Sequence, residues 1–210
     1  MGTDSPLATV ATASPPPSLR MSYDEFMEWH PDYGMAEWVD GEALVMAPPA
    51  TNHQLIVGFL FRCLSIYVEA RALGMVLIAP VQMRLAKSGR EPDILFVATE
   101  NLTRIEGRYI NGPADLVIEV VSPDSRKRDY VDKFREYAQA GVREYWLVDS
   151  AKKQAAFYGL GADGSYHALP VSKDNVFHSE VIAGLWLRVD WLWQEPLPPS
   201  ISVLKEWNLI

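Results

Sequence analysis

The sequence has a single cysteine, Cys63, so no disulfide can form within the chain and zinc sites built on cysteine pairs are excluded. Cys63 falls among apolar residues at helical spacing, where a buried thiol is expected rather than a reactive one. No run of 18 or more apolar residues occurs, and no basic segment followed by an apolar core opens the chain. We therefore expect neither a membrane span nor a secretory signal, and we predict a cytoplasmic protein.

Several common catalytic motifs are also missing. The sequence contains no Gly-rich phosphate loop, no H-E-x-x-H element and no G-x-S-x-G elbow. His30, His167 and His178 show no metal-ligand spacing. The sequence therefore gives no support to zinc chemistry or to serine hydrolysis.

An excess of positive charge is absent as well. The formal net charge is -8 and the pI is near 5.0, which speaks against strong nonspecific binding to a polyanion. A nuclease is not excluded by this balance. Carboxylates that hold a metal count as negative until the ion binds, and a local basic rim can coexist with an acidic remainder.

The composition is that of one globular domain. The chain has 210 residues, of which 49% are hydrophobic and 22% charged. Residues 1–19 are rich in Ala, Ser, Thr and Pro and are predicted to be a disordered arm. Residues 20–195 form the predicted domain. Residues 196–210 form a Pro- and Trp-containing tail that packs on the domain or on a second subunit of a homodimer, and both arrangements stay open.

Periodic patterns predict alternating helices and strands. Ser22 with Glu25, and Thr51 with Gln54, are capping-box patterns that would start a short helix and a long one. Residues 37–46 predict a hairpin turning at Asp40-Gly41, and residues 155–169 a second hairpin. Strand-like runs are residues 76–78, 81–85, 94–97, 116–121 and 144–148, with a turn at residues 87–90. The run at residues 116–121 is apolar on both faces except for one acid, which predicts a central strand.

A helix is predicted between the last two of these strands. Asp129 is the expected N-cap, and Gly141 the expected C-terminal stop. Tyr130, Phe134 and Tyr137 form its apolar stripe. The alternation of strands and helices predicts an α/β or α+β fold.

Two acids stand out against this background. Glu119 lies inside the apolar strand, where an unpaired carboxylate would cost several kcal/mol, so something must compensate it. Asp93 opens another apolar strand directly after Pro92. Paired strands would bring both carboxylates together, and such oxygen ligands suit Mg²⁺ or Mn²⁺. The alternative is that Asp93 caps a strand and Glu119 makes a salt bridge.

Three segments carry a resemblance to a known family. Residues 91–97 read E-P-D-I-L-F-V, residues 114–123 read A-D-L-V-I-E-V-V-S-P, and residues 144–149 read E-Y-W-L-V-D. Together with Glu37, His53, Asp129, Lys133 and Tyr137, they resemble the Uma-two family of endonucleases. The resemblance covers roughly residues 21–169. This family is similar to the PD-(D/E)XK, or restriction-endonuclease-like, superfamily.

The resemblance implies a fold and a reaction. The implied fold is a mixed central β-sheet flanked by helices, with an added β-hairpin. The implied reaction is hydrolysis of phosphodiester bonds in DNA with Mg²⁺ or Mn²⁺ held by Asp93 and Glu119. The superfamily lysine is replaced here by Val121. Lys133, which matches a helical lysine of the family, would supply the ammonium instead; the alternatives are a solvated Lys133 paired with Asp129 or Glu136, and Lys127 as a weaker substitute.

Further candidates surround these residues. Glu37 is an accessory carboxylate toward the metal or its water, or else a hairpin salt-bridge partner. His53 faces the site, or else lies on the surface. Candidate phosphate contacts, each with a plain surface charge as its alternative, are Arg84, Lys87, Arg90, Arg126, Lys127 and Arg128.

Two other functions remain open from sequence. The first is a catalytically degenerate module that binds nucleic acid or protein without cutting, which Val121 and the acidic net charge favour. The second is a metal-dependent hydrolase of a small phosphoester, which needs a closed pocket rather than an open groove.

Overall fold

The computed structural model describes residues 19–29 and 35–210. Leu19 is the last residue of the predicted arm and is described by the structure. It pairs with Ala43 in a strand, so the prediction of disorder is wrong at that residue. Residues 1–18 of the predicted arm, and His30, lie outside the described residues. Within the described residues, no helix combines the length and apolarity that a bilayer crossing requires.

The described residues form fifteen strands. They are β1 (Leu19–Arg20), β2 (Ala36–Val39), β3 (Glu42–Val45), β4 (Gly74–Ile78), β5 (Gln82–Arg84), β6 (Ser88–Arg90), β7 (Ile94–Ala98), β8 (Ile105–Glu106), β9 (Tyr109–Asn111), β10 (Leu116–Val121), β11 (Glu144–Asp149), β12 (Gln154–Leu160), β13 (Tyr166–Ala168), β14 (Val176–His178) and β15 (Trp186–Arg188).

Four α-helices and three 3₁₀- or π-helical segments accompany these strands in the described part of the chain. The α-helices are α1 (Tyr23–Glu28), α2 (Thr51–Ala70), α3 (Phe134–Ala140) and α4 (Ser200–Glu206). Two segments are 3₁₀-helical (Thr99–Arg104 and Val189–Trp193), and one is π-helical (Arg128–Lys133).

The central sheet has six strands in the order β13-β12-β11-β10-β7-β4. It is mixed, because β10 pairs parallel with β11 and antiparallel with β7. All six residues of β10 are buried, which confirms the predicted central strand. The mixed sheet flanked by helices is the predicted fold class.

Alternation along β10 decides which side of the sheet each residue faces. Leu116, Ile118 and Val120 belong to a core cluster that includes α2 and α4. Val117 and Val121 belong to a second cluster that includes Tyr137 of α3. Glu119 shares the parity of the second set. Its carboxylate therefore projects toward the helix that follows β10.

A second sheet of seven strands carries the added hairpin, in the order β1-β3-β2-β6-β5-β9-β8. The hairpin of β2 and β3 turns at Asp40 (φ 47°) and Gly41 (φ 89°), as predicted. Two successive positive φ angles are typical of a type I′ turn.

The predicted turn at residues 87–90 is displaced by two residues, because the backbone N–H of Leu85 donates to Ser88 O at 2.7 Å and residues 88–90 form β6, between β2 and β5. Gly89 serves a close approach rather than a turn: a Cβ atom there would lie 2.4 Å from Cε2 of Tyr23.

Two helix starts also differ from the predictions. The N-cap of α2 is Ala50, which makes no side-chain cap, so the capping box at Thr51 and Gln54 is absent. The helix after β10 begins at residue 126, and the backbone N–H of Asp129 already donates to Ser125 O. Asp129 is therefore inside the helix rather than its N-cap. The helix ends at Gly141 (φ 92°), as predicted.

The residues assigned to the tail pack on the core. Val203, Leu204 and Trp207 are buried in the cluster that α2 covers. The Trp207 ring lies edge-on to Tyr67, and its Nε1 donates to Trp186 O. The C-terminal segment thus closes the face of the sheet opposite Glu119.

Candidate active site

The strand register brings the two predicted metal ligands together. Ile118 of β10 pairs with Ile94 of β7, and continuing this antiparallel register by one residue sets Glu119 opposite Asp93. Residues directly opposite in an antiparallel pair project to the same face. Both side chains line one cleft of about 470 Å³.

Asp93 is held by two donors. The backbone N–H of Val120 donates to Asp93 Oδ2 at 2.7 Å, so the carboxylate stands in for a strand partner. His53 Nε2 lies 3.1 Å from the same oxygen. His53 therefore faces the site and is not a surface histidine. Both contacts use Oδ2, which leaves Oδ1 for other partners.

Glu119 is compensated from the helix that follows its strand. Lys133 Nζ lies 2.7 Å from Glu119 Oε1, and the Tyr137 hydroxyl donates to the same atom at 2.9 Å. The Lys133 side chain is only 3% exposed. The solvated lysine considered from sequence is therefore wrong. The salt bridge considered for Glu119 exists, with Lys133 as its partner.

Glu37 reaches the same lysine from the hairpin. Glu37 Oε1 lies 2.8 Å from Lys133 Nζ, and Arg90 Nη1 donates to Glu37 Oε2 at 2.9 Å. Each oxygen of Glu37 contacts a cation, so Glu37 is ion-paired with Lys133 and Arg90 in this structure. A local hairpin salt bridge does not describe it, because its partners come from β6 and the helix.

The buried charges shift one another's pKa. Burial raises the pKa of Glu119, and Asp129, Asp93 and Glu37 add to the rise while Lys133 opposes it. Burial alone would raise the pKa of Glu37 too, but Lys133, Arg90 and Arg128 hold it at about 2. Burial alone would lower the pKa of Lys133, yet Glu119 and Glu37 raise it above its ordinary value. Lys133 is therefore an ammonium at neutral pH.

A divalent cation fits the chemistry of this cleft. The carboxylates of Asp93, Glu119 and Asp129 are hard oxygen donors, which Mg²⁺ and Mn²⁺ prefer. Asp129 Oδ1 is buried and accepts no hydrogen bond from the described residues. Within residues 19–29 and 35–210, no group of three or more His, Cys, Asp or Glu side chains forms a ready-made cage. The side chains would have to close on an ion.

The predicted phosphate contacts divide into two groups. Arg84, Lys87, Lys127 and Arg128 line a wider cleft of about 1530 Å³, and Arg128 also lines the carboxylate cleft. The guanidinium of Arg84 lies 4.7 Å from the centre of the Tyr23 ring. Lys87 and Lys127 are exposed. Arg128 differs from the other three, because its Nε also lies 3.8 Å from Glu37 Oε2.

Arg90 and Arg126 belong to the second group. Arg90 lines the wide cleft but is 4% exposed, and it binds Glu37 and Glu136. The alternative prediction, that Arg90 is a plain surface charge, is therefore wrong. Arg126 Nη2 lies 2.9 Å from Oδ2 of the fully buried Asp149. Each of these arginines already has a carboxylate partner.

Sequence reasoning missed part of the cluster. Tyr137 was predicted in an apolar stripe and counted in the family resemblance, but its hydrogen bond to Glu119 was not predicted. Glu136 was predicted only as a partner of Lys133, whereas it binds Arg90. The spacing of Lys133 and Tyr137, four residues apart on a helix, was the available signal for a shared face. Nothing local in the sequence links Arg90 to Glu136.

Most of the chain matches a known protein family. The family model described as "Uma2: Putative restriction endonuclease" matches residues 23–190. The chain belongs to the Uma2 family. The match takes in α1, the six-stranded sheet, the seven-stranded sheet except β1, and the helix that carries Lys133. It extends past the region where the resemblance was recognised from sequence, into β15.

A solved structure shares the fold. It is described as "a putative nuclease belonging to DUF820" from Anabaena variabilis ATCC 29413. The TM-score is 0.70 at 16% identity, and the alignment covers 82% of this chain and 97% of the other. No protein with a curated description matches the chain. The chain thus shares its fold with this solved structure.

Proposed function

We propose that this Uma2 protein is a Mg²⁺- or Mn²⁺-dependent endonuclease that hydrolyses phosphodiester bonds in DNA. The observation that carries the proposal is the contact between Lys133 Nζ and Glu119 Oε1 in the cleft that also holds Asp93. The superfamily lysine is replaced by Val121, so no ammonium comes from that position. The Lys133 ammonium supplies a positive charge beside the two acids instead.

Asp93 and Glu119 would hold the cation. When bound, Mg²⁺ or Mn²⁺ supplies Lewis acidity to the scissile phosphate and to its water. His53 and the Val120 N–H orient Asp93, and the Tyr137 hydroxyl orients Glu119. Holding both carboxylates by fixed donors reduces the reorganisation that the reaction would need.

Lys133 would act as a fixed positive charge. Its raised pKa means that it retains its proton near neutral pH, so it serves as a hydrogen-bond donor and a counter-charge rather than as a base. An ammonium aimed at a phosphate offsets the negative charge that develops in the transition state. Glu37 and Arg90 fix the position of this ammonium from the hairpin sheet.

DNA would enter along the wide cleft. Arg84, Lys87, Lys127 and Arg128 line it, and Arg128 joins it to the carboxylate cleft. Local cations of this kind can bind a backbone even though the net charge is -8. The predicted homodimer and cytoplasmic location belong to this proposal as expectations.

Plasmid cleavage with Mg²⁺, with Mn²⁺ and with EDTA tests the proposal. Metal-dependent nicking or linearisation by the wild type, absent in Glu119→Gln, is the expected result. Binding of DNA without cleavage in any metal would favour the degenerate module. Hydrolysis of a small phosphodiester without plasmid cleavage would favour the small-substrate hydrolase.

A further inference from the structure

The helix after β10 is not regular. It begins α-helical at residues 126 and 127, becomes π-helical over Arg128–Lys133, and returns to α-helix at Phe134. A π-helical segment is rare and is found frequently at functional sites, because its wider turn changes which side chains share a face. Here the segment delivers two charged residues, Asp129 and Lys133, into the protein interior.

Asp129 is buried without a hydrogen bond at one of its oxygens. The residue is 1% exposed, and its Oδ1 accepts no hydrogen bond from any described residue. The nearest cation is Lys133, whose Nζ lies 3.8 Å from Oδ1 but only 2.7 Å from Glu119 Oε1. Leaving a buried carboxylate oxygen unsatisfied is costly, so such an atom points to a partner that binds from the cleft.

The charge around Asp129 points to the nature of that partner. Asp129, Asp93, Glu119 and Glu37 all line the carboxylate cleft, together with the cations Lys133 and Arg128. Lys133 is already shared between Glu119 and Glu37, and Arg128 Nε stays 3.8 Å from Glu37. Lys133 therefore stays beyond hydrogen-bond distance of Asp129, at 3.8 Å from its Oδ1. A metal cation with oxygen ligands would complete the balance.

We propose that Asp129 is a direct ligand of the divalent cation, a third carboxylate beside Asp93 and Glu119 that the π-helical segment supplies. This inference rests on the proposed function, because it requires that the cleft binds a metal. It assigns one helical segment two roles: the ligand Asp129 and the ammonium Lys133. The side chains close on the ion when it binds, since the three carboxylates do not form a cage beforehand.

Calorimetric titration with Mn²⁺ alone, without DNA, tests the assignment. Asp129→Asn keeps the size of the side chain and should weaken Mn²⁺ binding at least about tenfold, while its melting temperature in EDTA stays level or rises. The matched control is Asp132→Asn, which removes the same charge from an exposed position of the same segment and should leave the affinity unchanged.

A change of metal preference separates ligation from a general charge effect. In Asp129→Cys a thiolate replaces the carboxylate, so Mn²⁺ binding should fall and Cd²⁺ binding should rise, because soft sulfur favours soft metals. Asp132→Cys should show neither change. Cys63, the other cysteine in both variants, is buried.

The outcomes distinguish this inference from the proposed function. Weak Mn²⁺ binding in Asp93→Asn but wild-type binding in Asp129→Asn would overturn the role of Asp129 and leave the proposed function intact. No Mn²⁺ binding by the wild type would overturn both. If Asp129→Asn does not fold, an Asp129→Cys protein that folds and gains no Cd²⁺ affinity over the wild type overturns the inference by itself.

Discussion

Lys133 Nζ lies 2.7 Å from Glu119 Oε1, although the two residues are 14 positions apart and belong to different elements. Val121, two residues after Glu119, faces the same side of β10. The helix therefore brings an ammonium to the face on which a lysine at position 121 would have stood. This relationship makes Lys133 the residue on which the account depends.

The first prediction concerns stability. Lys133→Met leaves Glu37 and Glu119 without their shared cation, so unfolding in EDTA should become easier by about 3–5 kcal/mol, as when one partner of a buried ion pair is removed. Added Mn²⁺ should restore more stability to this variant than it adds to the wild type, because a cation replaces the lost charge. Urea unfolding with and without Mn²⁺ measures both effects.

The control for this prediction is Lys127→Met. Lys127 is exposed on the same helix, so its loss should change the unfolding free energy by less than about 0.5 kcal/mol. Equal stability of the two variants in EDTA would contradict the buried charge network.

The second prediction uses the low pKa of Glu37. Since Lys133, Arg90 and Arg128 lower it from 4.5 to about 2, the ionised group contributes stability that is fully present above about pH 4.5 and lost as the pH falls toward about 2. Glu37→Gln should be less stable at neutral pH and should lose less stability on acidification.

Unfolding free energies of the wild type and Glu37→Gln, measured in EDTA between about pH 6 and about pH 3, give the comparison. Parallel pH profiles would mean that Glu37 is not held by the cations. Glu42, on the other strand of the same hairpin, is half-buried and gives a matched control as Glu42→Gln, because within the described residues its ion pair is with the exposed Arg20.

Much of the central sheet was predictable because its signal is local. The apolar run of β10 with one acid, the strand-like run of β11 and the Asp40-Gly41 turn each follow from a few adjacent residues. The pairing of Asp93 and Glu119 across strands was also correctly anticipated as a geometry. Whether these acids bind metal remains a prediction.

The second sheet and the charge network were not predictable in the same way. β6 contains a glycine and two polar residues, and only the partners supplied by distant segments, Glu136 for Arg90 and Tyr23 for Gly89, make it a buried strand. The π-helical segment has no composition signal of its own. Asp129 was expected to cap the helix, but this segment places it in the protein interior. No local sequence pattern could indicate that position.

The third prediction concerns the C-terminal segment. Trp207 is 3% exposed and contacts Tyr67 and Trp186, so Trp207→Ala should cost about 3–5 kcal/mol of unfolding free energy. Ile201→Ala, on the exposed side of α4, should cost less than about 0.5 kcal/mol. A small effect at Trp207 would show that this segment does not complete the core in solution.

The fourth prediction concerns the wide cleft. If Lys127 contacts a DNA phosphate, Lys127→Gln should weaken DNA binding in Ca²⁺ and reduce the slope of log K against log salt by about 0.9. Lys173→Gln, outside both clefts and also exposed, is the control. Fluorescence anisotropy over a salt series measures the slopes, and identical slopes for the two variants would remove Lys127 from the interface.

Single-turnover cleavage by Lys133→Met, at a temperature where circular dichroism shows the variant folded, measures whether Lys133 assists phosphodiester hydrolysis. Loss of one positioned charge should slow metal-dependent cleavage by about 10²-fold or more, while Mn²⁺ affinity rises or stays level because a positive neighbour is gone. Lys173→Met, as the control, removes an exposed charge outside both clefts and should cleave within a few-fold of the wild type. A folded Lys133→Met protein that cleaves at the rate of the wild type would contradict a catalytic role for Lys133.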